Sequence, residues 1–453
     1  MKITRIISLF CLFTGLFISK PLFSQIVKTD PEIATMISEV KAAGLEATVN
    51  KLVSFGTRHA LSDTLSDIHG IGAARRWVKS QFDDYGKASG GSLTSSIDYF
   101  WVKADGKRIM KDVKMANVMA VLKGTDPTDN RVIIISGHLD SRATDIMDAK
   151  SDAPGADDDG SGVAAVMELA RIMSKHTFPC TLIFVAVSGE EEGLFGSQHL
   201  ADLAKSSGWN VIAMLNDDMI ANSFASGTEL KENTKVRVFS ETIPYMETPE
   251  EARMRKATGG ENDSPSRELA RYIKTVTEQY VDQLQVDLVY RVDRFLRGGD
   301  QMPFSMDGFT AVRFCEMDEN FDHQHQNVRV ENGVEYGDLP KFLDYDYARK
   351  ITCSNLATMS NLAWAPAAPV AVGIEVKDLT NSSTLVWKAP AGKAPYGYQI
   401  LIRETSAPQW QKTIFVKETE ATIPYSKDNY LFAVQSVDAL GHTSLPVFPA
   451  VMR

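Results

Sequence analysis

The sequence predicts an α/β protein, a mostly parallel mixed sheet flanked by helices, followed by a C-terminal all-β sandwich. Three observations carry that prediction. Between residues 118 and 215, short apolar runs alternate with amphipathic helical stretches, the pattern of strands joined by helical crossovers. Those runs are continuous rather than alternating, as in strands covered on both faces. Beyond residue 365, the chain changes to short strand-like runs separated by turn residues.

Taken in order, residues 31–85 read as largely helical. Apolar residues recur at roughly helical spacing over 45–53 and 73–82, and Gly86 stops the second stretch. Residues 118–122 and 132–135 are short apolar strands. An amphipathic helix over 162–175, a strand over 181–187, a helix over 194–205 and a strand over 211–215 follow. Residues 221–261 are polar and weakly periodic, which predicts a loop-rich connection. A helix over 268–284, a last core strand over 308–314 and a closing helix over 345–362 complete the unit. The small, Pro-rich run 365–369 then reads as a linker. Strands over 384–387, 398–403 and 431–437 belong to the sandwich, which is expected to join the rest with few contacts.

At 453 residues the chain has room for two or three domains. Its N-terminus is basic to Arg5, apolar from Ile6 to Ile18 and more polar through Ser24. That layout predicts a secretory signal peptide over 1–24 and an exported, periplasmic or extracellular protein. The apolar stretch is short for a membrane span, and no stable membrane insertion is expected after cleavage. The formal net charge of −10 becomes about −13 once Lys2, Arg5 and Lys20 are removed. Such a balance argues against nucleic acid and anionic membranes as partners. Cys180, Cys315 and Cys353 each sit beside an apolar run and are expected to be free and buried; none has zinc-thiolate spacing.

Chemistry concentrates in a few acidic and imidazole clusters, several of which directly follow a strand. His138 and Asp140 lie in Gly137-His138-Leu139-Asp140-Ser141. At a strand end, one of them can ligate a metal while the other orients it. Asp157-Asp158-Asp159 opens a helix. One aspartate suffices for an N-cap, and three adjacent like charges ask for a cation. Glu190-Glu191-Glu192 follows the most apolar strand. Neighbours there point opposite ways, so one can bind metal while the next faces bound water as general base. Asp218 follows the strand over 211–215, and His323 and His325 offer a late imidazole. Imidazole and carboxylate donors together suit zinc. The other histidines, His59, His69, His176, His199 and His442, read as surface or core residues.

These runs, with Gly155-Ala156-Asp157-Asp158-Asp159-Gly160-Ser161-Gly162, Glu190-Glu191-Glu192-Gly193-Leu194-Phe195-Gly196-Ser197 and Asn216-Asp217-Asp218-Met219, resemble the dinuclear zinc aminopeptidase family of exported bacterial leucyl aminopeptidase type. The likeness covers about residues 35–362. It implies a zinc exopeptidase fold over 25–365 that holds two zinc ions and cleaves peptides at the N-terminus. It further implies His138, Asp158, Glu191, Asp218 and His323 as metal ligands, with Asp158 bridging, Asp140 orienting His138 and Glu190 as general base. His323 is preferred over His325 because the family's last ligand precedes an acidic residue by four, and Asn327 stands at that place. Gln301, in Asp300-Gln301-Met302-Pro303-Phe304, replaces a His common in the family. Residues 366–453 are similar to fibronectin type III domains through Leu385-Val386-Trp387, Gly397-Tyr398-Gln399-Ile400 and the run 430–437. Rival expectations are a metallocarboxypeptidase, with Arg142, Arg294 or Arg297 taking the terminal carboxylate, an aminoacyl-cyclising transferase, and a secreted binding protein with an inactive peptidase domain. Oligomeric state is not legible in the sequence.

Overall fold

The computed structural model describes residues 29–377 and 379–452. The expected signal peptide lies outside them. No described helix is long and apolar enough to cross a membrane.

The main sheet has eight strands: β1 (Leu93–Val102), β2 (Val113–Leu122), β3 (Arg131–His138), β4 (Thr181–Val187), β5 (Asn210–Asp217), β6 (Lys235–Ser240), β7 (Gln285–Val289) and β8 (Ala311–Glu316). Their spatial order is β1-β2-β4-β3-β5-β8-β6-β7. The centre, β4-β3-β5-β8, is parallel, and antiparallel pairings at β2 and β6 make the sheet mixed. All eight residues of β3 are buried, as the continuous apolar pattern requires. Helices Ala42–Val53, Gly70–Ala88, Gly160–Met173 and Tyr345–Trp364 build the main core on one face, while Phe195–Ser206 and Gln301–Met306 pack on the other.

In the main sheet the strands β1, β6 and β7 went unforeseen, as did the helix Pro249–Thr258. β1 alternates buried and exposed positions on Ser, Thr and Asp, and β6 alternates Lys-Val-Arg-Val. Strands toward the sheet's edges with this alternation carry a weak apolar signal. β6 and the helix Pro249–Thr258 occupy the stretch expected to be loop-rich, and β7 follows directly on the helix Pro265–Tyr280.

Beyond Trp364 come a four-stranded and a three-stranded sheet. Their facing sides share a core containing Leu385, Trp387, Tyr398, Ile400, Ile402, Phe432 and Val434. The joint with the rest of the chain is polar and made largely by loop and helix side chains. Arg403 pairs with Asp263, and Arg271 pairs with both Asp263 and Glu268. The Trp410 indole donates to Glu268 at 2.9 Å, and Arg271 Nε donates to the Pro408 carbonyl at 2.7 Å. His442 stands between Asp438 (2.9 Å) and Asp30 (3.0 Å). The polar face of the Pro265–Tyr280 helix, with Glu268 and Arg271, is the docking face. Cys180, Cys315 and Cys353 are free and buried, as expected.

Candidate metal centre

The predicted residues meet beyond the carboxyl ends of the parallel strands, where an α/β sheet places its ligands. His138 ends β3, Glu190 and Glu191 follow β4, and Asp218 follows β5. Asp158 comes from the loop before the Gly160–Met173 helix. That helix packs so close to the sheet that a Cβ on Gly162 would lie 2.4 Å from the Asp217 carbonyl.

Asp158 is the hub. Its Oδ1 lies 3.0 Å from His138 Nε2 and its Oδ2 lies 2.9 Å from His325 Nε2. Asp218 Oδ1 approaches His138 Nε2 at 3.8 Å, and Glu191 Oε1 reaches His325 Nε2 at 3.0 Å. Two three-residue groups result, His138–Asp158–Asp218 and Asp158–Glu191–His325, each with ligand atoms within 4.8 Å of one another and both sharing Asp158. A shared carboxylate between two imidazole-plus-carboxylate sets matches what a pair of zinc ions requires. Asp218 Oδ2 is buried and has no hydrogen-bond partner among the described residues. Such an atom is costly unless something positive meets it.

The late imidazole is His325, not His323. The His323 ring stacks on Phe342 at 3.8 Å between centroids, and burial lowers its pKa. His325, with φ at +56°, turns back toward Asp158. Asn327 does not mark a ligand four residues before it: its side-chain oxygen accepts the Thr144 N–H and its own N–H donates to the Thr144 hydroxyl, which ties down the loop. The part of Asp140 also differs from the expectation. Its backbone carbonyl, not its carboxylate, meets His138 Nδ1, at 3.0 Å. The carboxylate instead accepts the N–H groups of Gly189 (2.7 Å) and Glu191 (3.1 Å), fixing the turn that carries Glu190 and Glu191. That turn starts at Gly189, whose φ of +82° favours glycine.

Of the three aspartates, only the middle one enters the two groups. Asp159 caps the helix by accepting from Gly162, and it also accepts the His138 N–H; Asp157 accepts from Ala221. The Asp158–Asp159 peptide is cis.

Burial alone would lower the His138 imidazole, but hydrogen bonds to Asp158 and Asp218 outweigh it and hold it well above its ordinary value. Burial likewise opposes the His325 imidazolium, and the Glu191 charge and Asp158 hydrogen bond push its pKa up to about 10. For Asp158, burial is overcome by hydrogen bonds from both imidazoles, which keep it well below the carboxylate range. Partly buried Glu190 has no hydrogen-bonded cation among the described residues. Burial raises it far above the ordinary value; the charge of His138 opposes this, and those of Asp218, Glu191 and Asp300 add to it. A carboxyl so placed is suited to holding and passing on a proton.

Several supporting residues escaped the sequence reading. Arg313 pairs with Asp218 at 2.8 Å and with Asp293 at 3.2 Å. Asp338 accepts the N–H groups of Asp157 and Asp158, and the Gln324 amide donates to Asp158 Oδ2 at 3.0 Å. Arg58, fully buried, donates to the carbonyls of Leu139, Pro154 and Gly155, so one guanidinium ties the His138 and Asp158 loops together. Gln301 donates to Asp293 and the Val292 carbonyl, which makes it a brace for the Arg313 partner. Apart from Gln301, which its motif singled out, these residues lie far in sequence from the groups they hold, and no local motif marks them.

The family model for Peptidase family M28 matches residues 117–332, which span both groups. A probable zinc metalloprotease of the fungus Leptosphaeria maculans is 43% identical over 421 residues, covering 93% of this chain and 97% of its own length. Another, from Pyricularia oryzae, is 42% identical over 427 residues, covering 93% of this chain and 84% of its own. Among solved structures, the Legionella pneumophila LapA aminopeptidase aligns with a TM-score of 0.52 at 20% identity over 80% of each chain. The aminopeptidase from Aneurinibacillus sp. strain AM-1 aligns with a TM-score of 0.51 at 15% identity, covering 73% of this chain and 96% of that one. At those identities the two structures show a shared fold. The length and identity of the fungal matches, over a chain that carries both ligand groups, show that this protein belongs to Peptidase family M28, a family of zinc metallopeptidases.

Proposed function

We propose that the chain is an exported aminopeptidase that holds two zinc ions and removes residues from the free amino terminus of peptides. The observation that carries the reading is Asp158 placed between two complete ligand groups, with Glu190 lining the same cleft. His138, Asp158 and Asp218 would hold one ion, and Asp158, Glu191 and His325 the other. Bound there, the ions supply Lewis acidity toward a carbonyl and lower the pKa of water.

The chain's own residues do the rest. Glu190 lines the cleft with no hydrogen-bonded cation among the described residues, which leaves its carboxylate to accept a proton from the attacking water and return it to the departing amine. Asp140 holds the turn that aims Glu190, and Arg313 fixes Asp218. The acidic floor, with Glu190, Glu191, Asp158 and Asp218, suits the ammonium of a peptide's first residue. Export rests on the basic, apolar and polar order of residues 1–24. The seven strands beyond residue 369 are read as a fibronectin type III-like module that takes no part in the chemistry.

Zinc stoichiometry of the purified protein, together with hydrolysis of aminoacyl amides and N-acetylated controls, tests the reading. Two zincs and cleavage of free-amino substrates alone are expected. One zinc, or faster cleavage of N-blocked peptides, would overturn it.

A further inference from the structure

The cleft over the ligand groups has a volume of about 340 Å³ and two kinds of wall. Acidic side chains form the floor. Arg108, Arg142, Arg294 and Arg297 line the remainder. Four guanidiniums around so small a space need counter-charges, and the protein supplies few. Arg294 and Arg297 share one carboxylate, Glu319, at 3.2 and 3.0 Å, and Arg237 takes the same one at 3.1 Å. Arg294 also reaches Asp293, which already holds Arg313. Arg142 hydrogen-bonds to the backbone carbonyls of Ala143 and Thr144. Arg108 donates to the Glu191 carbonyl and has no ion pair among the described residues.

If these arginines served only to neutralise the floor, they would pair with its carboxylates. Among the four, only Arg142 comes within 4 Å of one, at 3.9 Å from Glu191. Metal ions on the floor would take up its negative charge and leave the arginines in excess. A guanidinium with unused donors at a cleft wall is a carboxylate receptor, because its planar fork matches both oxygens.

We infer that the cleft selects peptides bearing a carboxylate close to the scissile bond, received by Arg142 and Arg108. This deepens the aminopeptidase reading and rests on it. The carboxylate has two sources, the C-terminus of a dipeptide or an acidic side chain.

Two matched pairs separate them: leucyl-leucine against leucyl-leucine amide, and leucyl-glutamate amide against leucyl-glutamine amide. The wild-type protein is expected to prefer the carboxylate member of at least one pair by about tenfold in kcat/KM, mostly through KM. The first pair reports a terminal carboxylate and the second an acidic side chain. The preference should shrink as salt is raised, since these arginines are partly exposed. In the R108Q/R142Q double variant it should fall toward unity. Equal cleavage within both pairs by wild type overturns this inference alone, and no variant has to fold for that result. A preference that persists in the double variant also overturns it. Cleavage of N-acetyl-leucyl-leucine without cleavage of leucyl-leucine would instead overturn the aminopeptidase reading, and this inference with it.

Discussion

Where the main unit meets the C-terminal sheets, Asp263 and Glu268 face Arg271 and Arg403, two acids against two bases, with all four side chains shielded from water. At the strand ends, Asp158, Asp218, Glu190 and Glu191 gather around one guanidinium, Arg313, and two imidazoles, His138 and His325. Both clusters remove charge from water, and both came from sequence stretches rich in acids. In one, the protein closes its own electrostatic balance, and the result is a joint. In the other the balance stays open, and the surplus marks where ions belong. Acidic residues alone therefore say little; the useful observation is whether the chain provides their partners.

Removing groups from each cluster should separate the two kinds. Glu190→Gln keeps shape but loses the proton acceptor, and turnover should fall by about 10²–10⁴-fold with both zincs retained. Metal analysis beside a kcat measurement checks this. Zinc loss here, with zinc kept by Glu191→Gln, would exchange the two roles.

At the joint, Asp263→Asn leaves Arg271 and Arg403 without a shared counter-ion. Breaking a buried pair from one side costs about 3–5 kcal/mol, so thermal unfolding should move down sharply while zinc content and kcat of the folded fraction hold. A variant with unchanged Tm would show that the joint is not a stabilising one. A chain cut near Pro366 is expected to lose stability for the same reason.

The two late histidines sharpen the comparison within the open cluster. His325→Ala should cost one zinc, whereas His323→Ala should keep both, losing only its stacking on Phe342. The reverse metal counts would return the ligand to His323. Smallest of all, Trp410→Phe removes a single hydrogen bond to Glu268 and should lower stability by about 1–3 kcal/mol without touching activity.

Much of this was legible because strand-end chemistry is local. His138, Asp158, Glu190, Glu191 and Asp218 each lie within a few residues of an apolar run or helix start that announces where the chain turns. His325 was harder, since it sits in a loop whose direction depends on contacts from Asn327 to Thr144 and from His323 to Phe342. Asp140 was found for the right loop but the wrong atom: sequence names the side chain and cannot show that its carbonyl reaches the ring. Arg58, Arg313 and Asp338 carried no local signal because their partners lie far along the chain. The strands β1 and β6 were missed for a physical reason too. They lie toward the sheet's edges, where Ser, Thr, Lys and Arg alternate with apolar residues and dilute the pattern that identified β3 and β4.

The ligand groups draw on segments from position 138 to position 325, and Arg58 ties two of them from still earlier in the chain. No short stretch can gather a zinc site on its own, so the ion has nothing complete to bind until the parallel strands have registered. Parallel pairing is slow, because distant segments must meet before any contact rewards them. Zinc then acts as a late lock rather than a seed. Chelation should leave the refolding rate nearly unchanged and speed unfolding, since an interaction absent from the transition state appears only in the escape rate.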